Sequence, residues 1–462
     1  MPVIRIFNHY FHKRTILQIG FDFILVLALQ AFAIWVQATN VNAFSHVVVT
    51  ASLLFSAGLL VLNSSLGFYQ RVHNRTLGQS RAHALLSFVL LLPLAYGIFR
   101  ISPFKLEDGR LFLMTMVFGV ALILMHRVYV AHSIPRDLMR QRVLIFGTGT
   151  RAKMVGRSLQ KSDPNIDLVG YYAGPDESVI DSSESAILVS GKSLTDVVMA
   201  YRIDEIVVAL AERRGGSMPL RELLDCKLQG VRVLDIATHF EKTLGQIRLD
   251  SVSAGWLIFG EGFGQGLMRA INKRIFDLVC GTILILLALP VMLATSILIA
   301  MESRGPILYR QERVGLNGRL FNVVKFRSMR TDAEKDGKPR WATAMDDRVT
   351  RVGRVIRKLR IDELPQLFGV LGGTMSLVGP RPERPYFVDK LTQEIPYFAV
   401  RQSVKPGVTG WAQVRYQYGA SVEDSVEKLQ YDLYYVKNHT LLLDLVVLFE
   451  TISVVLMRKG AQ

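Results

Sequence analysis

IFDLVCGTILILLALPVMLATSILIAM, residues 275–301, decides the architecture. The stretch is long and apolar enough to enter a bilayer, yet Pro290 sits in its middle. Both flanks are basic, with Arg269, Lys273 and Arg274 before it and Arg304, Arg310 and Arg313 after it. Lysine and arginine beside a span resist translocation, so neither end is expected to cross. A proline removes one backbone hydrogen bond and clashes with the preceding turn, which bends a helix. A helix that dips into one leaflet, breaks at Pro290 and returns meets both conditions. An ordinary kinked span is the alternative and would carry everything after residue 301 to the far side; charge placement favours re-entry.

Four more apolar stretches lie upstream, at Ile16–Val36, Val47–Leu62, Ala84–Ile101 and Leu111–Met125. Arg5, Lys13 and Arg14 precede the first, and the connection to the second holds no lysine or arginine. Arg71, Arg75 and Arg81 lie in the next connection, and Arg127, Arg136, Arg140 and Arg142 follow the fourth stretch. This alternation predicts a four-helix bundle with both ends in the cytoplasm. Half of the 462 residues are hydrophobic, which agrees with a membrane protein, and the net charge of +16 suits anionic headgroups, nucleic acid or a phosphorylated substrate. The two cysteines, Cys226 and Cys280, indicate neither a disulfide framework nor a Cys-rich zinc site.

Between the bundle and residue 275 the pattern changes to alternating strands and helices. Strands are expected at Arg142–Phe146, Leu168–Tyr172, Glu205–Leu210 and Val231–Asp235, which implies a parallel, doubly wound sheet. The turn GTGTRA (147–152) can receive a phosphate at a helix N-terminus, but the acidic residue that would hold a ribose after the second strand is replaced by Ala173 and Gly174. A regulatory or dimerising domain without a cofactor is the expectation.

The chemistry is expected in RIDELPQL (360–367), where Asp362 and Glu363 follow Arg348, Arg351, Arg354, Arg357, Lys358 and Arg360. Carboxylates in a cationic bed suit a phosphate site, because the arginines bind the anions while an acid attacks or holds a metal. The same acids also fit an N-cap and first-turn position on the helix running through Pro365 and Gln366. YRQERVG (309–315) and KFRSM (325–329) add Arg313, Lys325 and Arg327; GPRPER (379–384) adds Arg381 and Glu383 on a proline-stiffened loop; and KPGVTGWAQV (405–414) adds a glycine-rich turn. The apolar stretch Leu441–Met457 is interrupted by Asp444 and Glu450 and reads as an interfacial helix.

KRIFD (273–277), the Pro290 break, YRQERVG, KFRSM, DELPQL, SLVGPRPE and KPGVTGWAQV occur in that order. Together they resemble the bacterial sugar transferase family, the monotopic polyprenyl-phosphate phosphoglycosyl transferases, over residues 269–462. The preceding part resembles the long form found in exopolysaccharide assembly. The layout implied is a mixed membrane protein: a four-helix transmembrane bundle (1–135), a Rossmann-like α/β domain (136–250), a linker (251–268) and a mainly helical monotopic catalytic domain (269–462) with a re-entrant helix at 275–301.

The resemblance implies transfer of a sugar 1-phosphate from a UDP-sugar to undecaprenyl phosphate, releasing UMP, with Mg²⁺ present. Asp362 would attack the sugar-linked phosphorus and Glu363 would hold the metal or assist proton handling, with both acids as the candidate Mg²⁺ ligands. Arg357 and Arg381, with Arg313, Lys325, Arg327 and Glu383, would serve phosphate or nucleotide. The expected location is the bacterial inner membrane with the catalytic domain on the cytoplasmic face. No nucleic-acid partner is implied, and a homodimer is compatible. One departure from the family pattern is Leu289, where a serine often precedes the helix-breaking proline. Two other readings stay open. Tyr386 and Lys390 give the YxxxK spacing of a membrane-anchored nucleotide-sugar dehydratase or epimerase, and a membrane-tethered ligand sensor would use the basic end only to clamp lipid.

Overall fold

The computed structural model describes residues 3–6, 9–37, 46–65, 87–93, 96–97, 117, 120–121, 141–162, 166–174, 187–188, 193–210, 218–252, 254–260, 262–264, 266–330, 348–416, 419 and 421–456. By contacts the chain falls into two compact units, one built mainly from residues before Gln246 and the other mainly from residues after it.

In the first unit, helices α1 (Lys13–Gln37) and α2 (His46–Ser65) cover the first two apolar stretches. Most of the third and fourth stretches, Ala84–Ile101 and Leu111–Met125, lies outside the described residues. Five parallel strands follow: β1 (Gln141–Phe146), β2 (Ile166–Tyr172), β3 (Ile187–Leu188), β4 (Glu205–Val208) and β5 (Arg232–Asp235). Their order across the sheet is β3-β2-β1-β4-β5. Helices α3 (Thr150–Ser162), α4 (Leu194–Ala200) and α5 (Leu220–Leu228) lie between strands, and α6 (Ile236–Leu244) follows β5.

Strand side chains alternate between faces, and here both faces are covered. Leu144, Phe146, Ile206 and Val208 pack with Leu194, Val197 and Cys226, whereas Val143, Ile145 and Val207 pack with Val155, Leu159 and Phe240. Cys226 is therefore a core residue. Gly147 adopts φ +127°, and a Cβ there would press on the Ala209 carbonyl at 3.0 Å, so the β1–α3 turn requires glycine for its backbone alone.

At the start of β4, Glu205 is 1% exposed and enclosed by partners. Its carboxylate meets Lys242 Nζ at 2.5 Å, Arg232 Nη1 at 3.3 Å, His239 Nδ1 at 3.5 Å and the Gln141 Nε2 donor at 2.9 Å. Burial would raise its pKa, but His239, Lys242 and Arg232 outweigh burial and bring it down to about 2.

The second unit is dominated by α7 (Leu267–Glu302), whose 36 residues run as helix straight through Pro290. The break expected at that proline does not interrupt the helix. Two windows among the described residues, within α1 and α7, are long and apolar enough to cross a membrane. Next come the antiparallel pair β6 (Leu308–Val314) and β7 (Leu320–Phe326), then α8 (Arg351–Lys358), α9 (Gln366–Gly372) and β8 (Ser376–Val378). The unit ends with α10 (Pro385–Glu394), β9 (Gly407–Thr409), α11 (Trp411–Arg415), α12 (Val422–Asn438) and α13 (Leu441–Leu456). Strands β8 and β9 pair in parallel.

Helix α13 leaves Leu441, Leu445 and Ile452 exposed and turns its acids inward. Its acids do not interrupt a lipid-facing surface, because Asp444 and Glu450 are buried. Asp444 takes an ion pair from Lys273 at 2.7 Å and Glu450 one from Arg415 at 2.6 Å, while Leu443 and Val447 enter the core. The sequence shows the charges but not the distant partners that make their burial tolerable.

Candidate active site

Strand β7 carries Lys325 toward a turn after α8. Leu359 closes that helix, and Arg360 then takes a left-handed conformation (φ +57°), from which a single 3₁₀ turn, Ile361–Glu363, departs. Ile361 and Leu364 pack against a core that includes Phe326 and Ile356, which fixes the turn between two acids facing the other way. Pro365 follows and α9 begins at Gln366, with no side-chain cap on either short helix. Asp362 and Glu363 therefore do not serve as the capping pair that their spacing allowed, which leaves their oxygens to other uses.

Glu363 is 8% exposed, and its Oε1 collects three cations: Arg381 Nη2 at 2.9 Å, Lys325 Nζ at 3.1 Å and Arg360 Nη1 at 3.6 Å. Burial alone would raise its pKa, but Arg381, Lys325 and Arg360 together hold the carboxyl well below the usual range. Burial likewise lowers the pKa of Lys325, an effect opposed chiefly by Glu363. Asp362, beside it, is 9% exposed, and its Oδ1 is buried without a hydrogen-bond partner. Burial first, and then the charge of Glu363, raise the Asp362 pKa to about 6 against the pull of Lys325, Arg360 and Arg381. A carboxylate with that pKa remains ionised at neutral pH while being more basic, hence more nucleophilic, than an ordinary aspartate.

Arg381 reaches Glu363 from the loop after β8. Gly379 begins that loop where the Lys405 carbonyl occupies the place of a Cβ, and Gly407 N–H donates to Pro380 O at 3.0 Å, so the loop is clamped on β9. Behind Arg381, its own carbonyl accepts from Arg401 Nη2 at 2.8 Å, and that same nitrogen pairs with buried Asp432 at 2.7 Å. Burial raises Asp432 to about 6, with Arg401 opposing. Arg313 and Glu383 face each other at 3.4 Å, and Arg313 also donates to the Pro382 carbonyl at 3.1 Å. This pair latches β6 to the loop, and with Arg381 and Arg401 it lines a shallow cleft that includes Val314, Gly315 and Gln402.

The sequence-selected residues thus separate into groups. Asp362, Glu363, Lys325 and Arg381 come together, and Arg313 and Glu383 form a neighbouring pair. Arg327 joins neither group: it donates to the carbonyls of Arg304 at 3.1 Å and Ser303 at 2.7 Å, closing the C-terminal end of α7. Arg357 is half-buried in the last turn of α8. Arg360, rather than Arg357, reaches Glu363. Arg401 and Asp432 carry no local signal, since they meet only through the fold. Tyr386 is exposed and Lys390 pairs with Glu394 at 3.8 Å, so the YxxxK spacing assembles no common site.

Among the described residues no group of three or more histidine, cysteine or acidic side chains is placed to hold a metal ion. Two adjacent carboxylates, one with an unpartnered oxygen, nonetheless suit Mg²⁺, which takes one or two protein carboxylates and completes its shell with phosphates and water.

A family model described as bacterial sugar transferase matches residues 268–458. The chain is 42% identical over 263 residues to a UDP-N-acetylgalactosamine-undecaprenyl-phosphate N-acetylgalactosaminephosphotransferase of Aeromonas hydrophila, covering 57% of this chain and 61% of that protein. It is 42% identical over 195 residues to a UDP-glucose:undecaprenyl-phosphate glucose-1-phosphate transferase of Caulobacter vibrioides, covering 41% of this chain and 72% of that one. A transferase of the same description from Xanthomonas campestris pv. campestris is 29% identical over 347 residues, 72% of this chain and 70% of that protein. The chain thus spans less than two thirds of the Aeromonas relative.

Proposed function

Because the chain belongs to the bacterial sugar transferase family, we propose that it moves a sugar 1-phosphate from a UDP-sugar to undecaprenyl phosphate and releases UMP. The observation that carries this reading is the pairing of an unpartnered buried carboxylate, Asp362, with a glutamate held among Lys325, Arg360 and Arg381.

The cations receive the diphosphate, and their charge removes the repulsion an incoming carboxylate would meet. An Asp362 oxygen attacks the sugar-bearing phosphorus, and the bond from that phosphorus to the bridging oxygen breaks, so UMP leaves with the bridging oxygen. A phosphate oxygen of the lipid then attacks the same phosphorus and restores the aspartate, giving the lipid diphosphate sugar. Glu363 keeps Lys325, Arg360 and Arg381 gathered. Asp362 and Glu363 would hold Mg²⁺, which when bound supplies additional charge neutralisation at the phosphates.

In the same reading α7 re-enters the cytoplasmic leaflet of the bacterial inner membrane. The burial pattern of the helix supports this. Asp277 and Gly281 near one end and Met292 and Ile299 near the other are buried in the same unit, while Leu286, Leu287, Leu289 and Val291 between them are exposed. The helices of residues 1–135 form the four-helix bundle, the parallel sheet is a Rossmann-like regulatory or dimerising domain, and residues 269–462 catalyse.

The test is UMP release from a panel of UDP-sugars with undecaprenyl phosphate, together with intact-mass analysis of quenched protein. A sugar-phosphate adduct absent from Asp362→Asn supports the route. Turnover near wild type in Asp362→Asn removes the covalent step, and no UMP from any donor removes the transferase reading.

A further inference from the structure

One turn of α7 grips both segments that bring the acids and Arg381 together. Arg274 donates from Nη1 to the Val370 carbonyl at 2.6 Å and from Nη2 to the Leu371 carbonyl at 2.7 Å. These are among the last carbonyls of α9, at the negative end of the helix dipole, and the Val370 carbonyl also accepts from the Gly373 N–H at 3.1 Å. The other end of α9 begins just after Asp362 and Glu363. Gly373 ends the helix at φ +82°, and a Cβ there would sit 3.4 Å from Arg274 Nη2, so the guanidinium lies close over the terminus.

Three residues further along α7, Asp277 is 2% exposed and accepts from Ser376 Oγ at 3.0 Å and from Leu377 N–H at 3.1 Å. Those residues belong to β8, which leads directly into the loop bearing Arg381. Lys273 completes the turn by pairing with Asp277 at 3.5 Å and with Asp444 at 2.7 Å. The acid-bearing segment and the arginine-bearing segment are therefore fastened to the same few residues of the membrane helix, and their meeting is the 2.9 Å contact between Glu363 and Arg381.

We propose that Arg274 and Asp277 are positioning residues for the transfer reaction, holding α9 and β8 in register so that Asp362 and Glu363 face Arg381. The proposal rests on the transferase reading above. A basic residue here could also serve only to keep the helix end in the cytoplasm, a role lysine fills equally well. Positioning needs the planar fork of arginine, whose two nitrogens reach adjacent carbonyls at once, and a lysine ammonium cannot reproduce that geometry.

Arg274→Lys in the full-length protein, reconstituted in bilayer discs, separates the two roles. The expected result is a kcat for UMP release about 10-fold lower with a KM for UDP-sugar changed less than about 3-fold, since a small misplacement near a reacting centre costs rate rather than binding. In a Glu363→Gln background, where the contact with Arg381 is already weakened, the same substitution is expected to cost less than about 3-fold, because coupled residues are not additive. Equal factors in the two backgrounds, or no loss in the first, overturn the proposal. Asp277→Asn is run in parallel with the same expected non-additivity and decides the matter if Arg274→Lys lowers thermal stability. If both variants unfold, the turn is structural and the proposal falls. A wild-type protein that releases no UMP removes the transferase reading itself, whereas an active wild type with an unimpaired Arg274→Lys removes only this inference.

Discussion

Two glutamates, Glu205 in the parallel sheet and Glu363 at the turn before α9, are both buried and both ringed by cations, yet their surroundings are built for different ends. Two partners of Glu205 are enclosed, the side chain of His239 at 2% exposed and that of Lys242 at 10%, with Arg232 at 21%. The partners of Glu363 are more open, with Arg381 at 31% and Arg360 at 36%. Asp362 beside Glu363 keeps a buried oxygen without a hydrogen bond, whereas Glu205 has no unpartnered acid next to it in sequence. A cage of enclosed partners fixes a fold. A cage of accessible cations beside an unsatisfied acid can accept a second anion and act on it.

The comparison breaks most sharply at Asp362. Asp362→Asn is expected to lower UMP release by about 10³-fold or more, as loss of a nucleophile does, with thermal stability preserved because a desolvated charge is removed. Retained turnover would make the two cages equivalent. Next in size is Glu363→Gln, expected to reduce UMP release roughly 10- to 100-fold, the kinetic counterpart of hydrogen bonds to charged groups; an unchanged rate would mean that the three cations hold their places without it.

Glu205→Gln should do the reverse. Removing the charge leaves Lys242 and Arg232 without their counter-ion and is expected to cost about 3 kcal/mol of sheet stability, read by hydrogen exchange at the β1 and β4 amides. UMP release per folded molecule should stay near wild type. The same charge gives a pH dependence confined to acid. The folded pKa of Glu205, about 2, lies below the ordinary 4.5, so the folded state binds this proton less tightly than the unfolded chain. Its stabilisation, about 3 kcal/mol, is complete above pH 4.5 and is lost as pH falls through about 2. Sheet exchange rates that do not rise in acid, or that rise equally in Glu205→Gln, would remove Glu205 from this role.

The parts of the molecule that were legible in the sequence are those governed by local pattern. Four of the five strands of the sheet follow from short apolar runs between turns, the edge strand Ile187–Leu188 being unforeseen, and Asp362, Glu363, Lys325 and Arg381 stand out through motif and charge. The uses of Arg327, Asp444 and Glu450 were not legible. Each depends on a partner that only the fold supplies: the exposed carbonyls at the end of α7, Lys273, and Arg415. Arg360 was visible as a charge but not as a ligand of Glu363, because its left-handed backbone turns it back over a residue three positions on. The continuity of α7 through Pro290 has a similar origin, since packing of Met292, Thr295 and Ile299 holds the segment after the proline helical.

The grip of Arg274 on Val370 spans 96 residues of chain. At about 5–20 residues per second, a ribosome delivers α7 several seconds before the carbonyls that its guanidinium will bind exist. In that interval Lys273 already has Asp277 within its own helix, but Arg274 has no α9 carbonyl to bind. The order of synthesis is therefore helix first and contact second, with the guanidinium made long before the carbonyls that it holds.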